Sequence, residues 1–159
     1  MILLIAPIII NGLIVFFVQF FITEKFKKKL EKTQLVNETY KTLYSHLQSL
    51  TSGSLYVYLN KNKLDKLNSD IQEKNALMEK LLVFCGSNYT ALSNIDWRIN
   101  DIEENWDNLW SYWEKHKEML LKEDISIKDY PSVYVELFTL IIGWQVSIEL
   151  LKTEAVREL

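Results

Sequence analysis

The sequence predicts an all-α protein, in which an N-terminal transmembrane helix continues into a cytoplasmic four- to five-helix bundle. Three observations lead there. Apolar residues recur at helical spacing nearly throughout, and no strand-like alternation appears. Only 4 Gly and 2 Pro punctuate 159 residues, too few for the turns of a sheet protein. Charge is segregated: residues 1–22 carry none, and all 18 Lys+Arg and 21 Asp+Glu lie between Glu24 and Glu158.

The first segment, 1–22, is apolar at 18 of its 22 positions; Pro7, Asn11, Gly12 and Gln19 are the exceptions. As a helix it spans roughly 33 Å, the thickness of a hydrocarbon core. A secretory signal would begin with a basic residue, have a shorter apolar run and end at small residues, so a retained anchor is expected. Five lysines follow at once: Lys25, Lys27, Lys28, Lys29 and Lys32. Lysines flanking a span remain on the cytoplasmic side and attract anionic headgroups. The expected division is therefore a transmembrane helix at 1–22 and a cytoplasmic bundle at 23–159. The N-terminus lies outside a bacterial inner membrane, and membrane lipid is the partner of the lysines. Pro7, Asn11, Gly12 and Gln19 fall on one broad arc of the helix. Polar side chains in lipid face another helix or water. Asn11, Gly12 and Gln19 are thus the expected helix–helix or pore-facing positions of a homo-oligomer.

Beyond the span, Phe26, Leu30, Thr33, Val36 (or Asn37), Tyr40, Leu43, Leu47 and Leu50 keep a 3–4 spacing up to Ser52-Gly53-Ser54. One rod from the membrane to about residue 51 is expected, roughly 75 Å long. A second stretch, 55–85, carries Leu64, Leu67, Ile71, Met78, Leu81 and Cys85 on one stripe, interrupted by Lys74. Asn60-Lys61-Asn62 or Asn68-Ser69 are its candidate breaks, Ser69–Gln72 a candidate capping box and Gly86 its C-terminal residue. A third helix, capped by Ser93 or Asn94 and reaching about Glu123, aligns Ile99, Ile102, Trp106, Leu109, Trp113, His116 and Leu120. Trp106, Trp110, Trp113 and Trp144 are expected in the core or at oligomer contacts. After Pro131, with Ser132 as the cap, Val133–Leu151 is apolar on nearly every side. Such a helix is either central in a bundle or a second membrane span; it is read as the buried central helix, because Glu136 and Glu149 would be costly in lipid.

The composition excludes several functions. A net charge of −3 argues against direct nucleic-acid binding. A single cysteine removes a disulfide framework and a Cys-based zinc cluster. No phosphate-binding loop, dinucleotide fingerprint or nucleophile elbow occurs. His46 and His116 lack metal-ligand spacing, and Glu-x-x-His is absent. Asp96, Asp101, Glu103, Glu104 and Asp107 spread around one helix and read as a solvated face. Neither enzymatic activity, metal nor cofactor is expected. Arg98 and Arg157 lack a following His at the four-to-six-residue spacing of helical ribonucleases.

Leu81-Leu82-Val83-Phe84-Cys85-Gly86-Ser87 and the later Glu136-Leu137-Phe138-Thr139-Leu140-Ile141-Ile142-Gly143-Trp144-Gln145 resemble paired segments of small bacterial membrane proteins with cytoplasmic helical bundles. In the second segment the arginine typical of such proteins is replaced. The plan is similar to that of the membrane accessory proteins of RNA-targeting CRISPR systems, with their degenerate HEPN-like bundle. That resemblance implies a pore-forming antiphage accessory. The residues themselves leave two expectations open: a homo-oligomer that forms or gates a pore, or a membrane-tethered adaptor that binds a cytoplasmic protein.

Overall fold

A computed structural model describes residues 2–53, 55–122 and 126–159, with side chains from Phe16 onward. These residues are mostly helical, joined by short turns, with no strand among them. The elements are α1 (Ile2–Thr51), α2 (Leu55–Asn60), α3 (Leu64–Ser87), α4 (Tyr89–Leu92), α5 (Asp96–Leu120), a 3-10 turn (Ile127–Asp129) and α6 (Pro131–Arg157). By packing, the chain divides into Met1–Glu38 and Thr39–Leu159.

The apolar stripe of α1 serves two environments. In the first unit Phe26 and Leu30 are exposed. In the second, Tyr40, Leu43, Leu47 and Leu50 are buried, and they are what joins α1 to the bundle. Helix α1 stops at Thr51, two residues before Gly53, whose φ of +101° suits a glycine.

Of the two candidate breaks in the second stretch, Asn60-Lys61-Asn62 is the real one. Asn62 takes a left-handed φ of 54°, and its Oδ1 accepts from the backbone N–H of Ile127 at 2.9 Å. That bond ties the 3-10 turn to the α2–α3 corner. Asn68-Ser69 and the expected capping box lie inside α3. Asn68 faces α5 instead of ending a helix, and its Oδ1 accepts from Trp113 Nε1 at 3.1 Å. Asn75 Oδ1 does the same for Trp106 Nε1 at 3.0 Å. Helix α3 is thereby fastened to α5 by two indole hydrogen bonds as well as by its apolar stripe.

Gly86 does not end α3. The helix continues to Ser87, and the Asn88 side chain donates to the carbonyl of Phe84. The short α4 follows, and α5 begins at Asp96 without a side-chain cap, so neither Ser93 nor Asn94 plays the expected part. Helix α6 opens on Pro131, whose missing N–H costs nothing in a first turn; Ser132 does not cap it. The capping box of this region is instead Ser126 with Asp129, around the 3-10 turn.

The largest correction concerns α6. It is not buried all round. Val133, Leu137, Ile141, Trp144, Ile148 and Leu151 face the bundle, chiefly α5, while Val135, Ile142, Val146 and Leu150 are exposed. The broad apolar character that suggested a central position belongs to two faces, only one of which the chain covers.

Candidate assembly and membrane surfaces

Among the described residues no group of three His, Cys, Asp or Glu converges as a metal site would require. His46 packs against Phe84 (5.0 Å between ring centroids) and His116 against Tyr112 (4.5 Å). Of the acidic residues on α5, Asp101 pairs with Arg98 at 3.8 Å, and the Arg98 guanidinium lies 3.8 Å from the centroid of the exposed Trp97 ring.

Cys85 borders a recess of about 230 Å³ with Gly86, Tyr89, Asp96 and Glu103. Burial, and then the negative charge of Asp96, push its thiol up to about 12. At neutral pH it is a protonated, unreactive group, as expected of a small core residue.

The tryptophans are spent mainly inside the chain. Trp106, Trp113 and Trp144 are buried, and the Trp106 and Trp144 rings lie 4.7 Å apart. Trp110 is half-buried, 6.3 Å from Trp106. Three of the four indoles considered for oligomer contacts therefore already have their contacts within the bundle. The Nε1 of Trp144 meets no hydrogen-bond partner among the described residues.

One buried charge stands out. Lys74, the polar interruption of the α3 stripe, is 2 % exposed. Its ammonium donates to the carbonyl of Ser49 at 3.3 Å and to that of Ser52. These carbonyls belong to the last turn of α1 and the residue just beyond it, where a helix leaves acceptors unsatisfied and its dipole favours a cation. Lys74 is thus a cap supplied from another helix, a role that position in the stripe could suggest only as an anomaly.

The first unit presents a different surface. Phe16, Phe17, Val18, Phe20, Phe21 and Ile22 are all exposed, on successive sides of α1, and Gln19 is exposed among them. Asn11 and Gly12, the other positions expected at a helix–helix or pore-facing stripe, have side chains outside the described residues. Lys25, Lys27, Lys28, Lys29 and Lys32 are exposed, with Lys28 3.9 Å from Glu24. Among the described residues, α6 is the helix long and apolar enough to cross a membrane. By length and composition alone it is a candidate span at the C-terminal end, a test that the core helix of a bundle also meets.

The chain matches no family model, no curated protein and no solved structure.

Proposed function

We propose that the protein is a membrane-anchored helical bundle that works by assembly rather than by catalysis. In this reading the 1–22 segments of several copies associate to form or gate a pore. The observation that carries it is the run from Phe16 to Ile22. Six large apolar side chains exposed on all sides of one helix are unfavourable in water and favourable in lipid. The lysines that follow fit the headgroup layer and support an N-terminus outside, with the bundle in the cytoplasm. Asn11, Gly12 and Gln19 supply the polar stripe. An antiphage role beside an RNA-targeting system rests on the resemblance of overall plan.

Helix α6 is kept as the bundle's own, not as the span. Its covered face is committed to α5, and Glu136 and Glu149 lie on its other side.

Dye-loaded liposomes test the proposal. The full chain is expected to release dye, and Asn11→Leu with Gln19→Leu to abolish release while leaving membrane association intact. Equal leakage from the double variant overturns the polar lining; an intact, tight liposome overturns the pore. The second reading, a tethered adaptor, is favoured by the uncovered apolar face of α6. It predicts a stoichiometric cytoplasmic protein partner and tight liposomes.

A further inference from the structure

The polar and apolar marks of α1 fall on one line. Gln19, Thr23, Phe26, Leu30, Thr33 and Asn37 follow one another at alternating spacings of four and three, as the first and fourth positions of a heptad repeat do. Counted back along the sequence, the repeat takes in Phe16 and Gly12. It then runs for about four heptads, the length at which such a pattern argues for a coiled coil. The next position forward, Tyr40, is buried in the Thr39–Leu159 unit, so the open line ends at Asn37.

The line changes character at the lysines. From Phe16 to Ile22 its mark is Gln19, the one polar side chain of that stretch. Beyond the lysines it carries Phe26 and Leu30, which are 70 % and 59 % exposed. In lipid, a position that meets another helix is distinguished by a polar or small residue; in water it is distinguished by an apolar one. A line that is polar on the lipid side and apolar on the aqueous side suits one occupant at both levels, a helix that crosses the same boundary beside it. Charge is absent from the line. Lys25, Lys27, Lys28, Lys29 and Lys32 occupy other heptad positions, and Lys28 lies 3.9 Å from Glu24 of its own helix. Thr33 brings no unmet hydroxyl, since its Oγ1 donates to the carbonyl of Lys29 at 3.0 Å. Leu35 is the exposed large hydrophobic of this stretch that falls off the line.

We propose that α1 pairs in parallel and in register with α1 of another copy, as a coiled coil from Gln19 to Asn37, a pairing that rests on the reading of 1–22 as a span. A second copy is the occupant because a chain inserted in the same orientation changes from lipid to water at the same residue. Its Gln19 then meets Gln19, and its Phe26 and Leu30 meet their counterparts. The flanking positions accept this direction. In a parallel pair Ile22 stands beside Lys27 of the other copy, and Lys29 beside its Gln34, so no two lysines are opposed there. Asn37 takes a first heptad position, where a single asparagine fixes register against its counterpart. A strict seven-residue repeat also imposes a left-handed supercoil. The contact between copies thereby extends about 20 Å past the lipid, from Thr23 to Asn37.

Single-cysteine variants of the full chain in liposomes test the pairing, with the buried Cys85 replaced by serine. Under mild oxidation, Phe26→Cys, Leu30→Cys and Thr33→Cys are expected to form disulfide-linked pairs several times more strongly than Lys25→Cys, Lys28→Cys and Lys32→Cys. Equal linking at all six positions, stronger linking at the lysine positions, or no linking would overturn the coiled coil. Leu30→Glu should weaken association about a hundredfold, read from particle mass over a dilution series in mild detergent. It should leave the melting temperature unchanged, because Leu30 lies outside the Thr39–Leu159 unit. An unchanged mass would count against the seam as directly as a flat cross-linking scan. Peaked linking in liposomes that stay tight would refute the pore and not the pairing; dye release with flat linking would refute the pairing and not the pore. Recovery of the full chain free of lipid would refute the span on which both depend.

Discussion

Replacing Lys74 by methionine isolates the polar part of a buried cap. Methionine keeps most of the stem that fills the stripe between Ile71 and Met78 and removes only the ammonium. The wild-type Nζ serves the carbonyls of Ser49 and Ser52. A hydrogen bond from a charged group contributes about 1.5–3 kcal/mol net, and a cation at a helix C-terminus up to ~2 kcal/mol, the two descriptions overlapping. The Ser52 carbonyl belongs to an exposed residue and can turn to water, so its bond counts near the low end. The Ser49 carbonyl also accepts from the Ser52 hydroxyl at 2.6 Å, so it keeps a donor and its bond too counts near the low end. Together they give a loss of about 3 kcal/mol. For a domain of roughly 100–150 residues this lowers the melting temperature by ~10 °C. Circular dichroism or calorimetry of the full chain reads the shift, with Lys74→Ala as a comparison expected to fall further through the added cavity. A Lys74→Met chain as stable as wild type, or more so, would refute the cap. It would show that relieving the buried ammonium of its desolvation outweighs both bonds.

Two further outcomes follow from the same packing. Asn68→Ala should destabilise by about 1–3 kcal/mol, because it leaves the buried Trp113 Nε1–H without its acceptor, and a double-mutant cycle with Trp113→Phe should show strong coupling. Cys85 should resist alkylation at pH 8 in the folded chain and react once unfolded. The sign of its pH effect is set by a folded pKa of about 12 above an ordinary value of 9.0. The unfolded thiol deprotonates first, so stability should fall as pH rises above about 9, and Cys85→Ala should flatten that decline. Denaturation midpoints measured from about pH 8 to 10.5 check this.

Periodicity carried most of the architecture. The 3–4 spacing of Leu64, Leu67, Ile71, Met78, Leu81 and Cys85, and of Ile99 through Leu120, located the buried faces of α3 and α5 because a helix shows one side every 3.6 residues whatever its neighbours. Helix ends were less legible. Gly86 and Ser132 are good terminal residues by propensity, yet their neighbours decided the boundaries, since Asn88 and Pro131 provide the local alternatives. Composition also isolated the charge-free opening segment and its lysine flank without reference to any packing.

Other properties depend on which helix meets which. That Lys74 is an interior cap, and that Asn68 and Asn75 are indole acceptors, requires α1 and α5 to lie against α3. No spacing within α3 encodes those distances. The same holds for α6, where an apolar residue reads alike whether a neighbour covers it or not. Apolar character is a property of each side chain, whereas burial is a property of pairs of surfaces. Only the packed chain separates the α6 face used by α5 from the face left open around Val146.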